Sequence, residues 1–184
     1  MAALLAAARQ ASEDTSALYI SMWALPELIE AAARTGDTGI AGDALTRLAQ
    51  FTQAGGTDFS LGVEARCRAL LSDGEAEESL YREAIDRLGR TRLRPELARA
   101  HLLYGEWLRR ENRRADAREQ LRTAHDMLAV MGAEAFAERA RHELLATGET
   151  VRQRTVDAAD QLTEQEALIA RLDLCLGRWV GALV

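Results

Sequence analysis

The residues able to carry chemistry are few and far apart. His101, His125 and His142 are the three histidines, and no two stand four apart, the spacing that aims two imidazoles from one helix face at a metal. They read as ordinary helix histidines, and no metal site is assigned. Cys67 lies between Arg66 and Arg68, whose charges favour a thiolate, but no base is placed beside it. A packed, unreactive thiol is the expectation. Cys67 and Cys175 have neither CxxC spacing nor a nearby histidine pair, so neither zinc nor a disulfide framework is indicated, and reduced thiols in a cytoplasm are expected. All 23 basic residues are arginine. Without lysine the chain cannot build a Walker A loop or a Schiff base, so no nucleotide site is assigned. No Ser-His-acid order, carboxylate pair or glycine-rich loop stands out. The chain therefore reads as a non-enzyme, with no catalytic residue and no cofactor.

Binding chemistry is better represented. Arg109, Arg110, Arg113, Arg114, Arg118 and Arg122 form one basic cluster, with Glu106, Glu111, Asp116 and Glu119 interleaved. The mixture predicts a solvated, ion-paired face; the alternative is a surface for an acidic partner, contacted by Arg110 and Arg114. Tyr104 and Trp107 stand three apart on one helix, with Leu103 on the four-residue side of Trp107. That spacing predicts packing between adjacent helices, and a peptide-binding anchor is the alternative. Trp179, in an apolar tail, completes the candidate protein-interaction residues, the tail being expected to fold back or to mediate self-association.

Helices must carry these side chains. Aromatics make up 5% of the chain, prolines number 2, and Ala, Leu, Arg and Glu dominate, so the intrinsic preference is all-α. A net charge of −6 repels a phosphate backbone, which makes DNA an unfavourable partner for this chain alone. The apolar stretch at 2–8 has no basic residue before it, and the one at 174–184 is far short of the ~20 residues that span a bilayer. No membrane or targeting segment is expected.

Apolar periodicity and punctuation predict helices at about 26–35, 40–53, 60–71, 74–88, 95–110, 114–131, 134–147 and 163–172. Pro26 and Pro95, each followed by Glu-Leu, mark helix starts, and Ser72 with Glu75 forms a capping box. Gly36, Gly55-Gly56, Gly89, Gly132 and Gly148 fall where left-handed caps are needed. Within the helices, Gly105, Leu108, Ala117, Leu121 and Ala124 fit every slot of the tetratricopeptide small-large spacing, with Asn112 at the turn and a close helix contact at Gly105 and Ala124. Sets beginning at Ala65 and Ala32 fit it in part. The prediction is tetratricopeptide-like antiparallel helical hairpins in a short, irregular solenoid.

The domain organisation follows. Residues 1–22 form an N-terminal helical lead and 23–148 the helical domain. Residues 149–161 lose the apolar stripe and become a polar linker. At 162–172 a new helix begins, Thr163 and Glu166 forming its capping box, and 173–184 is the apolar tail.

Two kinds of segment carry a family resemblance. One is Leu162-Thr163-Glu164-Gln165-Glu166-Ala167-Leu168-Ile169-Ala170-Arg171-Leu172; the others include Trp23-Ala24-Leu25-Pro26-Glu27-Leu28, Tyr81-Arg82-Glu83-Ala84-Ile85 and the runs at 65–74, 96–110, 118–125, 132–140 and 143–152. Over 23–172 the chain resembles the C-terminal helical region of the large ATP-binding LuxR-family transcriptional regulators of actinobacteria. In that family a P-loop ATPase precedes a tetratricopeptide-like region, and a helix-turn-helix follows. The resemblance implies a regulator truncated within the helix-turn-helix, keeping the protein-interaction and signal-coupling part. After Leu172 the family would continue into the helix that enters the major groove, whereas this chain continues Asp173-Leu174-Cys175-Leu176-Gly177-Arg178-Trp179. Base readout needs that helix, so no DNA-binding residue is carried over. A protein partner or self-association is the expected mode of action. The alternatives are a DNA-binding regulator acting through a longer form and a decayed product without a role.

Overall fold

The computed structural model describes Ala6 and residues 18–149, with side chains from Trp23 onward. Among the described residues there are seven helices and no strand: α1 Leu18–Thr35, α2 Thr38–Gly55, α3 Asp58–Ala69, α4 Gly74–Gly89, α5 Arg94–Arg110, α6 Arg114–Val130 and α7 Glu134–Ala146. All the described residues fall within one compact unit, Met1–Val151. The helix expected at 162–172, the apolar tail with Trp179, most of the linker and most of the N-terminal lead lie outside the described residues.

Local chemistry explains most boundaries. Asp37 caps α2 by accepting from the Ile40 amide at 3.1 Å, and Pro95 sits in the first turn of α5 as its Pro-Glu-Leu pattern predicts. Pro26 does not follow that rule. It lies inside α1, which starts at Leu18, so the N-terminal lead and the helical domain share one helix. A proline there forgoes one backbone hydrogen bond; Leu25, Leu28 and Ile29 keep the segment helical by packing with Ala44, Leu48 and Val63. The Ser72–Glu75 capping box does not form either, because the Ser72 hydroxyl donates back to the Arg68 carbonyl at 2.9 Å and Asp73 takes the cap position. A reciprocal box forms instead at Thr57 and Ser60, ahead of α3. Gly36, Gly56, Gly132 and Gly148 take positive φ, whereas Gly89 closes α4 without one and Asn112 supplies φ 59 at the α5–α6 turn.

Each helix packs against the next, most extensively α1 with α2, α3 with α4 and α5 with α6. Two apolar clusters result. One joins Leu25, Ile29, Leu48, Val63, Leu88 and Leu97; the other joins Tyr81, Leu102, Leu108, Leu121, Leu128 and Leu144. Glycine permits the closest approach. A Cβ on Gly105 would stand 2.6 Å from Leu121 Cγ, so α5 and α6 meet where no larger residue fits. No helix among the described residues is long and apolar enough to cross a membrane.

Candidate functional site

Glu30 on α1 and Glu106 on α5 are only 6% and 4% exposed. A carboxylate removed from water needs charged partners and hydrogen bonds to offset its lost hydration. Arginines from three helices provide them. Glu106 Oε1 accepts from Arg139 Nε at 2.6 Å, and its Oε2 accepts from Arg34 Nη2 at 2.7 Å and Arg139 Nη2 at 2.9 Å. Glu30 Oε1 accepts from Arg139 Nη1 at 2.8 Å, and its Oε2 from Arg99 Nη2 at 2.7 Å. Arg99 also binds both carboxylate oxygens of Glu27, and its guanidinium lies 5.0 Å from the Phe136 ring centroid. The cluster ties α1, α5 and α7 together.

Its charges balance: Glu27, Glu30 and Glu106 against Arg34, Arg99 and Arg139. Burial nevertheless pushes the Glu106 carboxyl up to about 7, with Glu143 and Glu30 adding to the rise and Arg34 opposing it. Two hollows flank the cluster. One of about 220 Å³ is lined by Glu27, Arg34, Arg99, Phe136 and Arg139; another of about 210 Å³ is lined by Arg34, Tyr81, Glu106 and Arg110 among others.

A second buried ionic contact lies nearby. Arg66, only 2% exposed, places Nη1 2.7 Å from Glu96 Oε2. The pair is close enough for Coulomb attraction but is not aligned as a hydrogen bond, so neither atom has a hydrogen-bond partner.

The residues singled out in the sequence are distributed differently. Tyr104 and Trp107 are core residues, each 5% exposed and stacked on one another at 5.9 Å between centroids, with Tyr81 packed against both. Packing, the first of the two expectations for them, is what burial of their rings produces, and the Tyr104 hydroxyl reaches Glu78 at 2.9 Å. Arg110 is half exposed and reaches Glu77 at 3.7 Å, while Arg114 is exposed with no ion pair among the described residues. Trp179 lies outside them.

The basic cluster is ion-paired, but chiefly with acids from other elements. Arg109 pairs with Glu143, Arg113 with Glu78 at 2.8 Å, and Arg122 with Glu149 at 2.7 Å. Of the interleaved acids only Asp116 joins it, through Arg113 at 2.7 Å. Glu106 turns inward.

Burial pushes the Cys67 thiol up to about 12, outweighing the neighbouring Arg66, so it is no nucleophile at neutral pH. His101 faces Gln120 at 2.8 Å, His125 faces Asp126 and His142 faces Glu138. Among the described residues no group of His, Cys, Asp and Glu is placed to hold a metal ion. Compared with known proteins, the chain matches no family model, no curated sequence and no solved structure.

Glu30, Arg99, Glu106, Arg139 and Tyr81 are site residues that sequence reasoning missed. A signal was present for two of them. Glu30 interrupts the run Leu28-Ile29-Glu30-Ala31-Ala32, and Glu106 stands between Gly105 and Trp107 in an otherwise apolar stretch. A charge within a buried stripe requires a buried partner.

Proposed function

We propose that this chain is a non-catalytic helical interaction module: tetratricopeptide-like antiparallel hairpins stacked as a short solenoid, equivalent to the helical region of a LuxR-family regulator. It acts in the cytoplasm by binding a protein partner or a second copy of itself. The observation that carries this reading is the convergence of three odd-numbered helices, α1, α5 and α7. Glu30 and Arg34 of α1, Arg99 and Glu106 of α5, and Arg139 of α7 meet at one cluster, as expected if these helices share an inner face. Stacked helical pairs present such faces to ligands. The spacing of small and large residues supports the same reading, since Ala65, Tyr81, Ala84, Ala117, Leu121 and Ala124 are all buried at helix contacts.

Arg110 and Arg114 are the partner-facing residues in this reading, being exposed and loosely held. The test is charge reversal, Arg110→Glu with Arg114→Glu, in the full chain. Loss of affinity for a purified partner, or loss of a concentration-dependent dimer in sedimentation velocity, supports the module. A chain that stays monomeric and instead shifts promoter DNA in a salt-dependent way overturns it in favour of a DNA-binding regulator.

A further inference from the structure

The hollow of about 210 Å³ is lined by Arg34 on α1, Leu70 just after α3, Tyr81 on α4, and Leu103, Glu106 and Arg110 on α5. Tyr81 is fully buried, and its hydroxyl has no hydrogen-bond partner. A buried hydroxyl left in that state costs free energy. Glu77, Arg110, Glu106 and Glu30 are the charges that act on that hydroxyl. Tyr81 lines the hollow together with Arg110 and Glu106, and its hydroxyl is closed off from solvent while the side chains around it stay in place. Burial raises the phenol above its ordinary value, and at neutral pH the group is a donor.

The remaining hydrogen-bonding capacity decides what could bind. Both oxygens of Glu106 are already engaged by Arg34 and Arg139. Donors are in surplus. Among the described residues the Tyr81 hydroxyl has no hydrogen-bond partner, and the ion pair of Arg110 is with Glu77, at 3.7 Å, beyond hydrogen-bond distance. A cation entering here would meet the guanidiniums of Arg34 and Arg110 on the lining, the Glu77 carboxyl lying behind Arg110. A carboxylate would take two parallel bonds from Arg110 and a third from Tyr81, the geometry in which guanidinium and carboxylate pair best. Its carbon skeleton would lie against Leu70 and Leu103. The volume suits a group of benzoate size and is too small for a nucleotide. Arg34 and Arg110 are long side chains, 36% and 54% exposed, that form the rim and can swing aside to admit it.

We propose that this hollow is a binding site for a carboxylate on a small apolar body, held by the Tyr81 hydroxyl and the Arg110 guanidinium. The site shares Arg110 with the partner-facing pair of the proposed function, so Arg114→Glu, which should spare carboxylate binding, separates failure of one reading from failure of the other.

The experiment titrates the full chain with benzoate, isocaproate, benzamide, inorganic phosphate and a short peptide ending in leucine, free or amidated, by calorimetry. Saturable binding of the carboxylates and not of benzamide, weakened about tenfold or more by Tyr81→Phe and by Arg110→Gln, is the expected result. Binding of the free small acids points to a metabolite, and binding of the free-ended peptide alone points to a protein C-terminus as the carboxylate's source. Tyr81→Phe removes an unpartnered hydroxyl, so the ligand-free melting temperature holds or rises, which separates lost binding from lost folding. No saturable carboxylate binding at millimolar concentration overturns the proposal. So does phosphate or benzamide binding equally well, or affinity that neither substitution changes.

Discussion

Arg139 on α7 donates to Glu30 on α1 at 2.8 Å, across 109 positions of sequence. The same guanidinium holds Glu106 on α5 through two further bonds. One side chain therefore satisfies two buried carboxylates on two other helices. Replacing Arg139 with Met leaves both acids with fewer partners in a water-poor setting. The expected loss is about 3 kcal/mol in urea unfolding. An unchanged midpoint would mean that Arg34 and Arg99 suffice to hold Glu106 and Glu30.

Three glycines rank themselves by what a methyl group would meet. At Gly105 the added Cβ would stand 2.6 Å from Leu121 Cγ and 3.2 Å from the Leu121 backbone nitrogen. A side chain can turn away, but a backbone atom in a packed helix cannot, so Gly105→Ala is expected to destabilise by about 1–3 kcal/mol. At Gly62 the obstacles are only side-chain atoms of Arg87 and Leu88, and the cost is expected to be smaller. Gly42, inside α2, meets nothing within 4 Å, and Gly42→Ala is expected to stabilise by about 0.5–1 kcal/mol. Thermal unfolding of the three variants should order them 42, 62, 105 from most to least stable.

Glu77 gives the fold a pH dependence of defined sign. Burial raises its carboxyl to about 7 from the ordinary 4.5, against Arg110 and a hydrogen bond from Trp107. Between those values the folded protein keeps a proton that the unfolded chain has released. Stability from this group is thus complete below pH 4.5 and lost as pH rises through 7. His101 works the other way, because burial depresses it and its contribution falls away on acidification. Comparing wild type with Glu77→Gln isolates the carboxyl. The variant should gain on the order of 2 kcal/mol near pH 8 and little near pH 5. Equal differences at the two pH values would show that Glu77 titrates normally.

Cys67 should be invisible to thiol reagents in the folded protein. Its residue is buried and its thiol is raised to about 12. In a Cys175→Ser background, a disulfide reagent should label no thiol until denaturant is added, and one thereafter. Rapid native labelling would mean that the contact between α3 and its neighbours opens readily.

Much of the architecture is legible along the chain because its causes are local. Asp37 and Pro95 act within one turn of the helices they start, and apolar spacing shows which face of each helix is buried. Even the close contact at Gly105 follows from the residue's size within a periodic pattern. Pro26 marks the edge of that legibility, since its place inside α1 depends on packing by Leu25, Leu28 and Ile29 against α2 and α3.

What the tertiary structure alone decided is which charges meet. Arg99 has Glu96 three residues before it, yet it binds Glu27 and Glu30. Arg109 and Arg122 find acids 34 and 27 positions away rather than the neighbours interleaved with them, and Arg113 adds Glu78, 35 positions away, to its neighbour Asp116. Tyr81 is left with a buried hydroxyl that only the stacking of α1, α4 and α5 could isolate. Helix formation depends on groups within about four residues, so sequence distance measures it well. Ion pairing and burial depend on distance in space, which for Glu30 and Arg139 exists only once the helices between them have packed.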